Sequence, residues 1–194
     1  SLSTHSYPLC GSLQNQAASR TIARTTNHVC EGELLQLDNR HRLDLDEATY
    51  LRIIALKTAS LCGACCMLGA SFAGADEATV RRMEDYGRAL GMAFQVQDDI
   101  LDIVGDAATV GKTLGSDVEK GKMTLPLIHF LQSAPREHRM LLRSLLEGRE
   151  PDRAEKIRNL VVPGDSIAYA AARARAYVDA ARAALAALPD SDAR

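Results

Sequence analysis

The sequence has no tryptophan, three phenylalanines and five tyrosines in 194 residues. A core this poor in rings must be filled by aliphatic side chains, and the abundant alanine and leucine suit packed helices. An excess of one charge is also missing: 23 Lys and Arg stand against 25 Asp and Glu, so nothing points to a nucleic-acid partner. No apolar run approaches the roughly 20 residues of a membrane span, so no transmembrane segment is expected. No basic start followed by an apolar core marks a secretory signal. Strand alternation, repeats and long linkers are not visible either. This length suits one domain with a real core. Residues 1–194 are therefore expected to form a single all-α domain, with an irregular start over 1–12 and C-terminal helices over 136–194.

Cysteine is present without a framework. Cys10, Cys30, Cys62, Cys65 and Cys66 form an odd set. Cys62-x-x-Cys65 lacks a second Cys or His pair at ligand spacing and lies in an apolar helical stretch, which argues against zinc. Small buried core residues, reduced in a cytoplasm, are the expectation.

The stretch that is rich in information runs from Gly91 to Asp102, GMAFQVQDDILD. Met83, Gly87, Leu90, Phe94, Asp98 and Leu101 follow at steps of three and four, which puts them on one helical face. Asp98 stands in that line where a leucine would be expected. Asp102 lies one turn on, Gln95 one turn before, and Asp99 about 100° round the axis. Clustered acids commonly form a solvated helix face, but Phe94, Ile100, Leu101, Ile103 and Val104 surround these. Three carboxylates within one turn repel each other. A hard cation with oxygen ligands, such as magnesium, removes that conflict.

Next come Gly111-Lys112, Gly115-Ser116-Asp117 and Lys120-Gly121-Lys122-Met123-Thr124-Leu125-Pro126. Gly111-Lys112-Thr113 resembles the end of a P-loop, but position 106 is Asp where that loop needs glycine, and no strand precedes it. The glycines permit a tight loop that brings Lys112 back towards the acids. Asp117 is expected to cap a short helix carrying Lys120 and Lys122, with Lys120 a solvated charge.

Taken together, F-Q-x-x-D-D-x-x-D, G-K, G-S-D and K-G-K-x-T-x-P resemble the second aspartate-rich region of the trans-isoprenyl (polyprenyl) diphosphate synthases. Upstream, Glu31-Gly32-Glu33-Leu34-Leu35-Gln36 resembles the family's E-G-E-x-x-Q helix, and Lys57-Thr58 its K-T pair. The resemblance covers residues 13–135. It implies an all-α isoprenoid-synthase bundle around a deep apolar cavity, acting as a homodimer. It also implies a prenyltransferase reaction: magnesium, or manganese, helps pyrophosphate leave an allylic diphosphate, and isopentenyl diphosphate attacks the allylic cation. On this resemblance Asp98 and Asp102 bind metal directly, and Asp99 does so directly or through water. Lys57, Thr58, Lys112 and Lys122 hold the diphosphate, while Gln36, Gln95 and Phe94 line the substrate site. The family's first aspartate-rich motif is not found before Asp98, so the chain is expected to correspond to a C-terminal portion, inactive by itself. A half-site subunit or regulator remains open as an alternative. A terpene cyclase is a weaker one, since no N-S-E-type motif is found.

The remaining helices are expected from about Leu13 to Leu37 and from a cap at Asp44-Leu45-Asp46-Glu47 to about Phe72. Others follow from Thr124–Pro126 to Ser133, over 136–147, over 152–161, and from Asp165 to Leu188. Leu51, Ile54, Thr58, Leu61, Cys65, Leu68 and Phe72 should form the apolar line of the second. The small Gly87 and Gly91 are expected to leave room for a long prenyl tail.

Overall fold

The structure, a computed structural model, describes residues 16–105, 115–186 and 188. Every regular element among them is helical, so the fold is all-α. The irregular start over residues 1–12, Cys10 and Lys112 lie outside the described residues.

Helix α1 is Gln16–Asp38 and α2 is Glu47–Ile54. The N-terminus of α2 is fixed by Asp46, whose Oδ1 accepts the Thr49 N–H at 2.7 Å. A π-turn, Ala55–Ala59, joins α2 to α3, Ser60–Phe72, without a break. Gly74, at φ +79°, reverses the chain. Asp76 then caps α4, Glu77–Val104, by accepting the Thr79 N–H at 2.7 Å. Next among the described elements come α5, Ser116–Glu119, and α6, Leu125–Ser133, with Pro126 in its first turn. Helices α7, Arg136–Glu147, α8, Arg153–Val161, and α9, Ser166–Leu185, complete the described order.

Helix α4 is the central member. One side of it packs against α3 and another against α9, whose buried Ala170, Ala174 and Ala181 allow a close approach. The core between them contains Tyr50, Val96, Ile100, Ile103, Leu125 and Leu142.

Three expectations need correction here. The apolar line of the second helix holds only as far as Ile54. Leu61, Cys65 and Phe72 are exposed, whereas Ala59, Gly63 and Ala64 are buried. The π-turn is the cause: one extra residue in the turn rotates everything after it by about 100°, so the buried line steps from Ile54 to Ala59. On α4 the buried stripe is Met92, Val96, Asp99, Ile100 and Ile103, while Leu90 and Phe94 are 44% and 62% exposed. Asp117 does not cap the short helix; Gly115 occupies that position in the left-handed region, and Lys120 and Lys122 follow α5.

Two smaller readings change as well. Cys30 and Cys65 are exposed, and Cys62 and Cys66 only half-buried, so these four described cysteines are not core residues. Glu47–Phe72, a continuous helical run through the π-turn, is long and apolar enough to cross a membrane by length and composition. Among its residues Lys57 and Thr58 are tied to polar partners on neighbouring helices.

Gly87 and Gly91 border α3 and not an open space. A Cβ at Gly87 would fall 2.5 Å from the Cys62 carbonyl oxygen, and one at Gly91 would fall 2.7 Å from Ala59 Cα. Alanine is ordinarily the better helix former by about 1 kcal/mol. Here overpacking against a backbone should outweigh it, so Gly87→Ala is expected to destabilise the chain by about 1–3 kcal/mol in urea denaturation. A stabilised variant would show that α3 and α4 are not in this contact.

Candidate functional site

The three acids of the D-D-x-x-D stretch point in different directions. Asp98 continues the open line of Leu90 and Phe94 and is half-buried. Asp99, one residue on, is 0% exposed. Its Oδ1 accepts from Gln95 Nε2 at 3.0 Å and Lys122 Nζ at 2.9 Å, and its Oδ2 accepts from the Tyr50 hydroxyl at 2.7 Å. Both Asp99 oxygens are thus engaged inside the core. Asp102 Oδ2 accepts the Asp117 N–H at 3.1 Å and so ties α5 to α4. Gly115 N–H donates to the Asp102 carbonyl at 3.0 Å, in the same junction.

Lys122 is the second centre of charge. It reaches Asp99 and also Asp117 Oδ2, at 3.0 Å, with its side chain 15% exposed. Burial by itself would lower its pKa, but the Asp99 and Asp117 carboxylates outweigh that and hold it above the usual lysine value. Burial pushes Asp99 upward, opposed by the Lys122 ammonium and the Tyr50 hydroxyl. Burial likewise raises Asp102, opposed by the Asp117 N–H. Tyr50, buried beside a carboxylate, is pushed well above the ordinary phenol value and stays protonated.

The π-turn carries the other arm of the site. A straight α-helix would not present consecutive Lys57 and Thr58 as they stand here. Lys57 Nζ lies 2.6 Å from Glu33 Oε2 and donates to Gln36 Oε1 at 2.8 Å. Thr58 Oγ1 donates to Gln95 Oε1 at 2.9 Å. Gly32 makes the approach possible, since a Cβ there would fall 2.7 Å from the Lys57 backbone nitrogen. A continuous chain of hydrogen bonds therefore runs Thr58–Gln95–Asp99–Lys122–Asp117–Asp102.

Of the residues singled out from sequence, Gln36, Lys57, Thr58, Gln95, Asp99, Asp102 and Lys122 are brought into two linked clusters. Phe94 and Asp98 lie on the open side of the same helix. Asp117 and Tyr50 were not singled out as site residues; Asp117 stood in the G-S-D element, and Tyr50 had no signal beyond its helical position. Among the described residues no three His, Cys, Asp or Glu side chains converge as a ready metal cage. Magnesium does not need one: it is usually held by one or two carboxylates and by substrate oxygens. Asp98 supplies a hard oxygen donor on the open side, which fits that mode of binding.

These linked motifs match a known family over residues 1–162, that of polyprenyl synthetase. The chain belongs to the polyprenyl synthetase family. It is 38% identical over 184 residues to the heptaprenyl diphosphate synthase component 2 of Geobacillus stearothermophilus, covering 94% of this chain and 56% of that protein. It is 40% identical over 167 residues to a short chain isoprenyl diphosphate synthase of Methanothermobacter thermautotrophicus, covering 86% and 51%. Among solved structures it is similar to a polyprenyl synthase from Caulobacter crescentus complexed with calcium and isoprenyl diphosphate. That likeness has a TM-score of 0.84 and 38% identity, and covers 92% of this chain and 55% of that one. The chain thus spans about half the length of the curated relatives it matches.

Removing one member of a buried ion pair strands the other. Lys122→Met is expected to cost about 3 kcal/mol or more, because Asp99 is left buried without its counter-charge. Lys57→Met, at a partly exposed pair, should cost under about 1 kcal/mol. Equal losses in denaturant titrations of the two variants would contradict the described difference in burial.

Proposed function

We propose that this chain carries the diphosphate-binding half of a polyprenyl diphosphate synthase, which condenses isopentenyl diphosphate with an allylic diphosphate. The observation that carries the reading is the linked set Lys57–Thr58–Gln95–Asp99–Lys122, with Asp98 on the adjoining open face. Three carboxylates, on Glu33, Asp99 and Asp117, already pair with the ammoniums of Lys57 and Lys122, and Asp98 and Asp102 add two more acids on the same stretch of α4. A diphosphate would be repelled by that excess unless a divalent cation came with it. Magnesium is therefore part of the proposal, with manganese as a substitute, and Asp98 as its direct ligand. Asp102 would support it from the loop junction. The calcium and isoprenyl diphosphate named for the Caulobacter crescentus protein agree with such a pairing.

The bound cation would neutralise charge developing on the departing diphosphate oxygens. Lys57 has three N–H donors and spends two on Glu33 and Gln36, leaving one for a diphosphate oxygen. Thr58 is oriented by Gln95 at the same edge. Lys122, sunk between Asp99 and Asp117, would act by holding the acids in place more than by touching substrate. Lys112 is proposed as a further diphosphate contact from its motif alone. Phe94, Leu90 and Leu61 would form an apolar wall that keeps water from an allylic cation.

A homodimer in a reducing cytoplasm belongs to the same reading. The exposed Leu34 and Leu37 on α1 are suited to cover by a second copy, and free thiols suit that compartment.

Calorimetry of an allylic diphosphate with and without magnesium tests the assignment. Binding should require the cation and weaken at least tenfold in Asp98→Ala, with the melting temperature nearly unchanged. In the full-length protein the same substitution should lower magnesium-dependent elongation by at least about a hundredfold. Cation-independent binding, or undiminished elongation by that variant, would overturn it.

A further inference from the structure

Tyr50 is 2% exposed, and a phenylalanine would fill its volume equally well. A hydroxyl in such a core is costly unless it is bonded. Its bond goes to Asp99 Oδ2, at 2.7 Å, from a residue 49 positions away in the chain. The other oxygen, Oδ1, takes both Gln95 and Lys122. Tyr50 thus engages the one carboxylate oxygen that the site's own residues do not occupy. Tyr50, Gln36 and Lys122 also border one small cavity, which brings the ring beside a residue of each cluster.

Without the hydroxyl, Oδ2 becomes a buried acceptor with no partner. The carboxylate can then turn about its Cβ–Cγ bond and offer Oδ2 to Lys122 or to Gln95. Either turn shifts a residue of the site. Movement of Gln95 carries Thr58 with it, and movement of Lys122 carries Asp117, which Asp102 holds. Tyr50 also lies seven residues before Lys57 on the same continuous helix, so its bond fixes that helix against α4.

We propose that Tyr50 is a positioning residue: its hydroxyl fixes the plane of the Asp99 carboxylate, and through it the places of Thr58 and Lys122 around a diphosphate. This rests on the proposed function, and it adds a residue and a route by which that residue acts. The alternative is a purely packing role for the ring, which Tyr50→Phe preserves.

The test is calorimetry of inorganic pyrophosphate with magnesium, well below the melting temperature, on the chain and on Tyr50→Phe, Asp99→Asn and the double variant. Tyr50→Phe is expected to weaken binding about tenfold, and the double variant to bind no more weakly than Asp99→Asn alone. Tyr169→Phe is the control. Its hydroxyl also donates to a carboxylate, Glu47 Oε2 at 2.6 Å, which makes no bond to the site's acids, and its loss should leave binding unchanged. Unchanged binding in Tyr50→Phe, an equal loss in Tyr169→Phe, or additive losses in the double variant would overturn the proposal. Should Asp99→Asn fail to fold, the comparison of the two tyrosine variants decides. A wild-type chain that does not bind the magnesium–pyrophosphate pair overturns the functional reading and this proposal together; binding by wild type and Tyr50→Phe alike overturns only the latter.

Discussion

A fully buried carboxylate sets the terms for the rest of this fold. Asp99 can remain charged in the core only if its oxygens are bonded and a counter-charge is close. The bonds come from three places: Tyr50 on α2, Gln95 on α4 itself, and Lys122 after α5. Each of those residues is then held where Asp99 needs it. Lys122 in turn requires Asp117, and the Asp117 N–H requires Asp102. Helix α5 is thereby fastened to the C-terminal part of α4. Gly115 assists, since its left-handed backbone lies against Ala154 on α8, where a side chain would not fit.

Much of the helical plan was legible in the sequence because it depends on short-range chemistry. The capping acids Asp46 and Asp76 and the first-turn Pro126 act within a few residues of themselves, and they mark the starts of α2, α4 and α6. The site motifs were legible for a similar reason, since Lys57-Thr58 and Gln95 to Asp102 are contiguous. The π-turn was not. A wider turn has no local residue signature, yet it moves the buried line by one position and brings Leu61 and Cys65 to the surface.

The buried stripe of α4 was misread for a different reason. Two apolar series run along it, Leu90–Phe94–Leu101 and Met92–Val96–Ile100–Ile103, and periodicity alone cannot rank them. Packing into the common core selects the second, and with it Asp99 in place of Asp98 as the acid in the core. Tyr50 was invisible for a further reason: its partner lies on another helix. Gly87 and Gly91 were noticed correctly as small, but smallness by itself does not say whether a helix or a ligand fills the space.

The geometry of the motif explains why two adjacent aspartates need not share a role. Consecutive helical residues diverge by about 100°, so an ion on the open side of α4 cannot be reached by both Asp98 and Asp99 without distortion. The spacing instead provides one acid for each of three environments. Asp98 faces the side where a cation and a diphosphate could enter. Asp99 faces the core and holds the lysine and glutamine in place. Asp102, a turn further on, meets the Asp117 N–H of α5. Substituting the adjacent acids therefore removes different things: a charge on the open face at Asp98, and the arrangement of Thr58, Gln95 and Lys122 at Asp99. A repulsive cluster becomes tolerable because the helix keeps its members apart, and because Asp99 and Asp102 are held by donors from other parts of the chain.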